Sequence, residues 1–139
     1  MQIKTASWFT KLPAGHARIG ISRSVPHRLK PGYRIYRKLA PGPWFSHVAG
    51  EEFYHRYRTE ILGPLNPRLV ADELFDLARG GIPVMVCYEK AGGPAVCHRA
   101  MAAGWLAEAL GHPVPEFGFE TWSQFNHPLA GKIARLIAL

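Results

Sequence analysis

The chain has 139 residues, a formal net charge of +7 and two cysteines. This length favours a single domain that buries about two-thirds of the surface of the unfolded chain. No apolar run approaches the roughly 20 residues that a membrane-spanning helix needs, and residues 1–4 do not lead into the apolar region of a signal peptide. We therefore expect no membrane partner and a location in the reducing cytoplasm.

The positive charge is concentrated in the first part of the chain. Residues 1–60 hold 11 Lys and Arg against 3 Asp and Glu, whereas residues 61–139 hold 6 against 7. Cations that alternate with aromatic rings can bind nucleic acid through phosphate contacts and base stacking. The alternative is that the rings form the core beneath a solvated basic face. The aromatic residues concerned are Trp8, Phe9, Tyr33, Tyr36, Trp44, Phe45, Tyr54 and Tyr57.

Two short strands are predicted near the start of the chain, over residues 2–8 and 18–22. Ligands of open α/β sheets bind beyond the carboxyl ends of the strands. Ser7 lies at the end of the first predicted strand, and Ser22 and Arg23 lie at the end of the second. These three residues are therefore candidates for substrate binding.

Residues 24–49 contain four prolines and two glycines, which predicts a long irregular segment with a short strand at 33–36. Such long loops in compact domains usually cover a functional site. A helix is predicted over 51–62, and a second helix follows Asn66 and Pro67, which suit the N-cap and first helical positions.

The next unit is a buried strand, a glycine-rich loop and a helix. Residues 82–88 form a short apolar, β-branched run, and a helix from about residue 97 ends at Gly111. A last strand or edge segment is expected at 113–117. Residues 121–139 are expected to form a C-terminal helical extension that packs on the domain or on a second subunit.

The candidate catalytic residues flank the glycine-rich loop. Cys87 and Glu89 precede it, and Cys97, His98 and Arg99 follow it at the helix start. Free N–H groups and the helix dipole favour anions there, and nearby cations can lower the pKa of a thiol.

Each of these side chains has a natural role in such a site. Cys97 would be the reactive thiol, or a helix cap whose backbone binds the anion. Glu89 would act as base or orienting group, and His98 as proton carrier. Arg99 and Arg23 would hold the negative charge of the substrate.

Other interpretations of the two cysteines remain open. Cys87 could be a small buried strand residue, or it could resolve an oxidised Cys97 through a disulfide. Residues 97–99 could be an ordinary helix start. Zinc would need Cys87, Glu89, Cys97 and His98 as ligands, but the chain has no Cys-x-x-Cys pair, so we predict no metal site. No cofactor is indicated.

The cysteine segments resemble the domain-of-unknown-function 488 family, whose members end in a Cys-x-Glu…Cys-His-Arg motif. The similarity covers most of residues 1–117 and implies a compact α/β domain with its site at this motif. It implies no assigned activity. The runs that carry it are Cys87-Tyr88-Glu89, Cys97-His98-Arg99, Trp105-Leu106 and Val114-Pro115-Glu116, with Thr5-Ala6-Ser7, Ile21-Ser22-Arg23 and Leu39-Ala40-Pro41 in one branch of the family.

The order of elements predicts one α/β domain over residues 1–139, a three-layer, Rossmann-like fold with a mainly parallel sheet and helices on both faces. The leading functional hypothesis is a small enzyme or binding protein that acts on an anionic, phosphate-bearing substrate. The alternatives are a nucleic-acid-binding module that uses the basic N-terminal half and a non-catalytic interaction domain.

Overall fold

The computed structural model describes residues 2–89 and 98–120. Within this part of the chain, four strands form one parallel sheet in the order β1-β4-β2-β3. The predicted α/β fold with a mainly parallel sheet is therefore confirmed. The strand order differs from the Rossmann order 3-2-1-4-5-6. The strands are β1 (Lys4–Ser7), β2 (His16–Gly20), β3 (Arg34–Ile35) and β4 (Ile82–Cys87).

β4 lies between β1 and β2 in the sheet, and its backbone pairing explains how Pro83 is tolerated there. The carbonyl of Cys87 accepts a hydrogen bond from the Trp8 N–H on the β1 side. The backbone N–H and C=O groups of successive residues point alternately to the two neighbouring strands. Pro83 lies four residues before Cys87, so its backbone also faces β1. Pairing with β1 begins only at Val84, opposite Lys4. The missing N–H of Pro83 therefore breaks no ladder bond.

Three α-helices are present in the described part: α1 (Gly50–Arg56), α2 (Pro67–Ala78) and α3 (His98–Leu110). α1 continues as a π-helix over Tyr57–Leu62, whereas the sequence predicted one regular helix. The predicted cap of α2 is confirmed, because the side chain of Asn66 accepts hydrogen bonds from the first turn at 3.0 and 3.4 Å. None of these helices is both long and apolar enough to cross a bilayer.

All three helices contribute side chains to one core on the same face of the sheet. On the other face, Trp8 packs with Ala6 and with Val84 and Val86, beneath partly buried side chains that come from loops. The helices expected on both faces are therefore not found in the described part, where loops cover the second face. The predicted extension over 121–139 lies outside the described residues.

Two local features of the sheet lie close to the predicted site residues. β2 ends at Gly20, two residues earlier than predicted. The Trp8 ring occupies the space that a β-carbon on Gly20 would need. Of the two forms expected at 113–117, a last strand or an edge segment, the structure has the edge segment. Thr5 donates to the carbonyl of Pro115 and accepts from the N–H of Phe117, so this segment lies along β1.

Candidate functional site at the carboxyl edge of the sheet

Five of the eight predicted site residues come together at the carboxyl edge of β2 and β4, beside the start of α3. A cavity of about 200 Å³ opens there, and its lining includes Ser22, Arg23, Cys87, Glu89 and His98. A second cavity of about 240 Å³ shares Glu89 and His98 with the first. We call these two adjoining cavities the edge cleft.

Glu89 lines both parts of the edge cleft. Its backbone carbonyl accepts a hydrogen bond from Arg99 Nη1 at 2.5 Å, which holds the segment after β4 in place. Burial raises the pKa of the Tyr54 phenol, and the negative charge of Glu89 raises it further. Tyr54 therefore stays protonated beside the carboxylate at neutral pH.

His98 opens α3 and is almost fully buried. Its Nε2 lies 2.7 Å from the carbonyl oxygen of Ile21, and its ring stands edge-on to Tyr57. A carbonyl can only accept, so Nε2 carries the hydrogen and donates it. Burial lowers the pKa of His98 to about 4, the bond to Ile21 opposes this shift, and the charge of Arg99 adds to it. His98 is therefore neutral at pH 7, which suits a fixed hydrogen-bonding group better than the predicted proton carrier.

Arg99 is completely buried and is held by a carboxylate that the sequence did not single out as its partner. Its Nη2 and Nε donate to the two oxygens of Glu116 at 2.7 and 3.0 Å. Thr5 Oγ1 also donates to Glu116, at 2.6 Å. The guanidinium thus has a structural role instead of the predicted contact with substrate charge.

The remaining nitrogen of Arg99, Nη1, reaches the end of β4. It lies 3.1 Å from Cys87 Sγ, in addition to its bond to the carbonyl of Glu89. Cys87 is buried and is disulfide-bonded in the structure. The predicted reactive residue, Cys97, lies outside the described residues.

The two predicted serines are buried and hydrogen-bonded to their surroundings. Ser7 Oγ donates to the carbonyl of Tyr88 at 3.3 Å. Ser7 does not line the cavity of about 200 Å³. Ser22 Oγ lines the cleft, where it accepts from the indole of Trp8 at 2.8 Å and donates to the carbonyl of Ser24 at 2.6 Å. Ser22 is therefore part of the wall of the edge cleft, whereas the Ser7 hydroxyl is bonded to the segment that follows β4.

Arg23 is exposed and stands where the edge cleft meets a second depression. Its Nη1 donates to the carbonyl of Pro41 at 2.9 Å, and its guanidinium lies 5.4 Å from the centre of the Phe45 ring. The neighbouring groove, of about 340 Å³, adds Arg37 and Lys38; we call it the basic groove. Lys38 is paired with Glu73, but no carboxylate in the described ranges forms an ion pair with Arg23 or Arg37.

Most aromatic rings of the basic half belong to the core. Five of the eight are buried: Trp8, Tyr36, Trp44, Tyr54 and Tyr57. Phe9 and Phe45 are exposed and lie near the edge cleft. The aromatic content of this half therefore mainly reflects packing.

Sequence reasoning quoted Glu116 and Thr5 only for the family resemblance and Tyr54 only as an aromatic residue, and it gave none of them a place in the site. Glu116 carried one local signal, an acidic residue inside the apolar segment at 113–117, but no spacing rule linked it to Arg99. Among residues 2–89 and 98–120, no group of three or more His, Cys, Asp or Glu is placed to hold a metal ion.

Comparisons of the chain with models of known protein families, with curated proteins and with solved structures found no match. The similarity to the domain-of-unknown-function 488 family therefore stays a prediction, which depends on the quoted motif residues.

Proposed function

We propose that this protein is a small enzyme or ligand-binding protein that acts on an anionic, phosphate-bearing substrate in the edge cleft. The observation that carries the proposal is the position of Arg23. It is an exposed cation, held by the carbonyl of Pro41, where the edge cleft meets the basic groove. Planar guanidinium groups are well suited to binding phosphate oxygens in pairs.

The roles of the cleft residues follow from their surroundings. Arg23 and Arg37 hold the phosphate, since both line the basic groove without a carboxylate partner in the described part of the chain. Glu89 lines both cavities of the cleft and is the group best placed to accept a proton or to orient a substrate hydroxyl. His98 lines both cavities as a neutral imidazole, and its Nε2–H is committed to Ile21, which fixes the wall of the cleft.

The cysteines remain part of the proposal as a redox pair. Disulfides in a reducing cytoplasm, where we place this protein, are usually transient and catalytic or redox-sensing. The structure has Cys87 in a disulfide, and we propose that the reduced chain, with Cys97 as its reactive thiol, is the active form. Substrate binding at Arg23 does not depend on this step.

Calorimetric titration of the reduced protein with inorganic phosphate, pyrophosphate and ribose 5-phosphate tests the proposal. Hydrogen bonds to charged groups contribute about 1.5–3 kcal/mol, so we expect Arg23→Ala to weaken binding roughly 10- to 150-fold. Arg58→Ala is the matched control, because it removes the same positive charge. Arg58 is exposed and lines neither the basic groove nor the cavity that contains Arg23. The proposal fails if the wild type binds none of these compounds, or if the two variants lose the same affinity.

A nucleic-acid-binding module remains the second candidate, supported by the excess of cations in residues 1–60. With about four to six phosphate contacts, the logarithm of the affinity for duplex DNA would fall with a slope near −4 to −5 against the logarithm of salt concentration. A fluorescence titration at about 50 mM salt with single- and double-stranded DNA and RNA tests it. Absence of binding to all of these would eliminate this candidate.

A further inference from the structure

Exposed aromatic rings are gathered around the edge cleft. In the described part of the chain, five large hydrophobic side chains are exposed, and three of these are aromatic: Phe9 at 59%, Phe45 at 45% and Tyr88 at 36%. Tyr88 and Phe45 line the cleft together with Arg23, and Phe9 contacts Tyr88. Isolated exposed apolar residues are normal in proteins, but a cluster at a cavity indicates a binding surface.

The ring of Tyr88 is held in position from two sides. Its hydroxyl is 3.0 Å from Ser24 Oγ, and the ring of Phe9 packs against it with the centroids 6.3 Å apart. The ring is thus held in one orientation while more than a third of the residue remains open to solvent. An aromatic surface fixed in this way loses little conformational entropy when a flat ligand stacks on it.

These observations lead us to propose that the substrate is a nucleoside phosphate, whose base stacks on Tyr88 and whose phosphate binds Arg23. The inference rests on the proposed function and specifies its substrate class. Base stacking on aromatic side chains tolerates every base, because each has a π-face. Glu89, in the same cavity, is an acceptor for a ribose hydroxyl or an exocyclic amino group.

The grouping of the exposed rings at one place favours a mononucleotide over a long strand. The cavity that holds Tyr88, Phe45 and Arg23 is about 200 Å³. Single-strand binders place successive bases on successive rings along a basic groove. Here most aromatic rings of the basic half are buried in the core, so the exposed rings form one local platform beside one phosphate site.

Calorimetric titration with the four common ribonucleoside 5′-monophosphates, ribose 5-phosphate and a single-stranded oligonucleotide tests this inference. Stacking contributes about 1–3 kcal/mol per base, so Tyr88→Leu should weaken binding of the best mononucleotide roughly 5- to 150-fold. The same variant should leave the affinity for ribose 5-phosphate unchanged. Tyr88→Phe keeps the ring and should retain most of the affinity, and Leu69→Ala, which removes an exposed apolar side chain on α2, is the control.

The outcomes separate this inference from the proposed function. If ribose 5-phosphate binds as tightly as every mononucleotide and Tyr88→Leu changes nothing, the nucleotide inference is wrong and the phosphate site stands. Binding of the oligonucleotide alone would also overturn it, in favour of a nucleic-acid ligand. If no phosphate compound binds to a wild-type protein with a normal thermal unfolding curve, both proposals fail.

Discussion

Two arginines lie near the same edge of the sheet, and their surroundings could hardly differ more. Arg99 is completely buried and makes a bidentate ion pair with Glu116. Arg23 is exposed, touches a backbone carbonyl and a ring, and lines two depressions. The sequence suggested the same role for both, the holding of substrate charge. The comparison shows that burial decides which cation remains available to a ligand.

The physical reason is the cost of taking a charge out of water. A guanidinium does not lose its proton in proteins, so burial has to be offset by a partner of opposite charge. Glu116 supplies that partner for Arg99, and Thr5 donates a further hydrogen bond to the carboxylate. Arg23 remains hydrated and needs no carboxylate, which leaves its charge free to attract an anion.

The largest effect should follow from breaking the buried pair. Arg99→Met leaves the carboxylate of Glu116 buried without its cation, and we expect a loss of about 3–5 kcal/mol in the free energy of unfolding, measured by urea denaturation. The double variant Arg99→Met/Glu116→Met should recover a large part of this loss, because no unpaired charge remains. A single variant within about 0.5 kcal/mol of the wild type would contradict the structural role of the pair.

His98, next to Arg99, should make stability depend on pH. Its pKa in the folded protein is about 4, below the unfolded value of about 6.5. The unfolded chain therefore binds the proton first, and the stability present above pH 6.5 is lost as the pH falls towards 4. Across this window we expect a loss of about 3 kcal/mol.

The contribution of His98 is isolated by comparing the wild type with His98→Gln at each pH. Denaturation curves of both proteins between pH 4 and 7 include the same carboxylate titrations, so their difference reports the imidazole. Parallel pH profiles for the two proteins would show that His98 is not held in its neutral form by the fold.

A smaller loss is expected when the support of Glu116 is weakened without removal of the ion pair. Thr5→Val keeps the shape of the side chain but removes the hydroxyl that donates to Glu116. Hydrogen bonds to charged groups contribute about 1.5–3 kcal/mol, and the lower end applies here because Arg99 still binds the carboxylate. Thr10→Val provides the comparison in the same denaturation assay, because the partly buried Thr10 hydroxyl accepts only a 3.3 Å bond from the uncharged N–H of Ser7 among the described contacts. Equal losses in both variants would argue against a charge-assisted bond to Glu116.

The smallest effect on stability should come from Arg23. Arg23→Ala removes an exposed side chain, and we expect a change within about 0.5 kcal/mol in the free energy of unfolding. The affinity of the Arg23→Ala variant for phosphate compounds should nevertheless fall roughly 10- to 150-fold. If Arg23→Ala destabilised the fold as much as Arg99→Met, the contrast between a structural and a ligand-binding arginine would be lost.

Several elements could be predicted because their signals are local. Asn66 and Pro67 set the start of α2, Gly111 follows the end of α3 with a positive φ of 74°, and the apolar run at 82–87 became the central strand. Each depends on the conformational preferences of a few neighbouring residues, which one chain segment carries by itself. The gathering of Arg23, Glu89 and His98 at one edge also followed from this order of elements, because parallel strands bring their carboxyl ends together.

Only the tertiary structure decided which charges are buried. Arg99 and Glu116 are 17 residues apart, and Thr5 is 111 residues from Glu116; no periodicity links such positions. No periodicity predicts the packing of Trp8 against Gly20 either. On that second face of the sheet, side chains from loops cover Trp8. Short-range spacing determines helices and strands, whereas the burial of a side chain depends on all the segments that pack around it. For that reason local spacing predicted the elements, but the fold determined that Arg23 rather than Arg99 is exposed at this edge of the sheet.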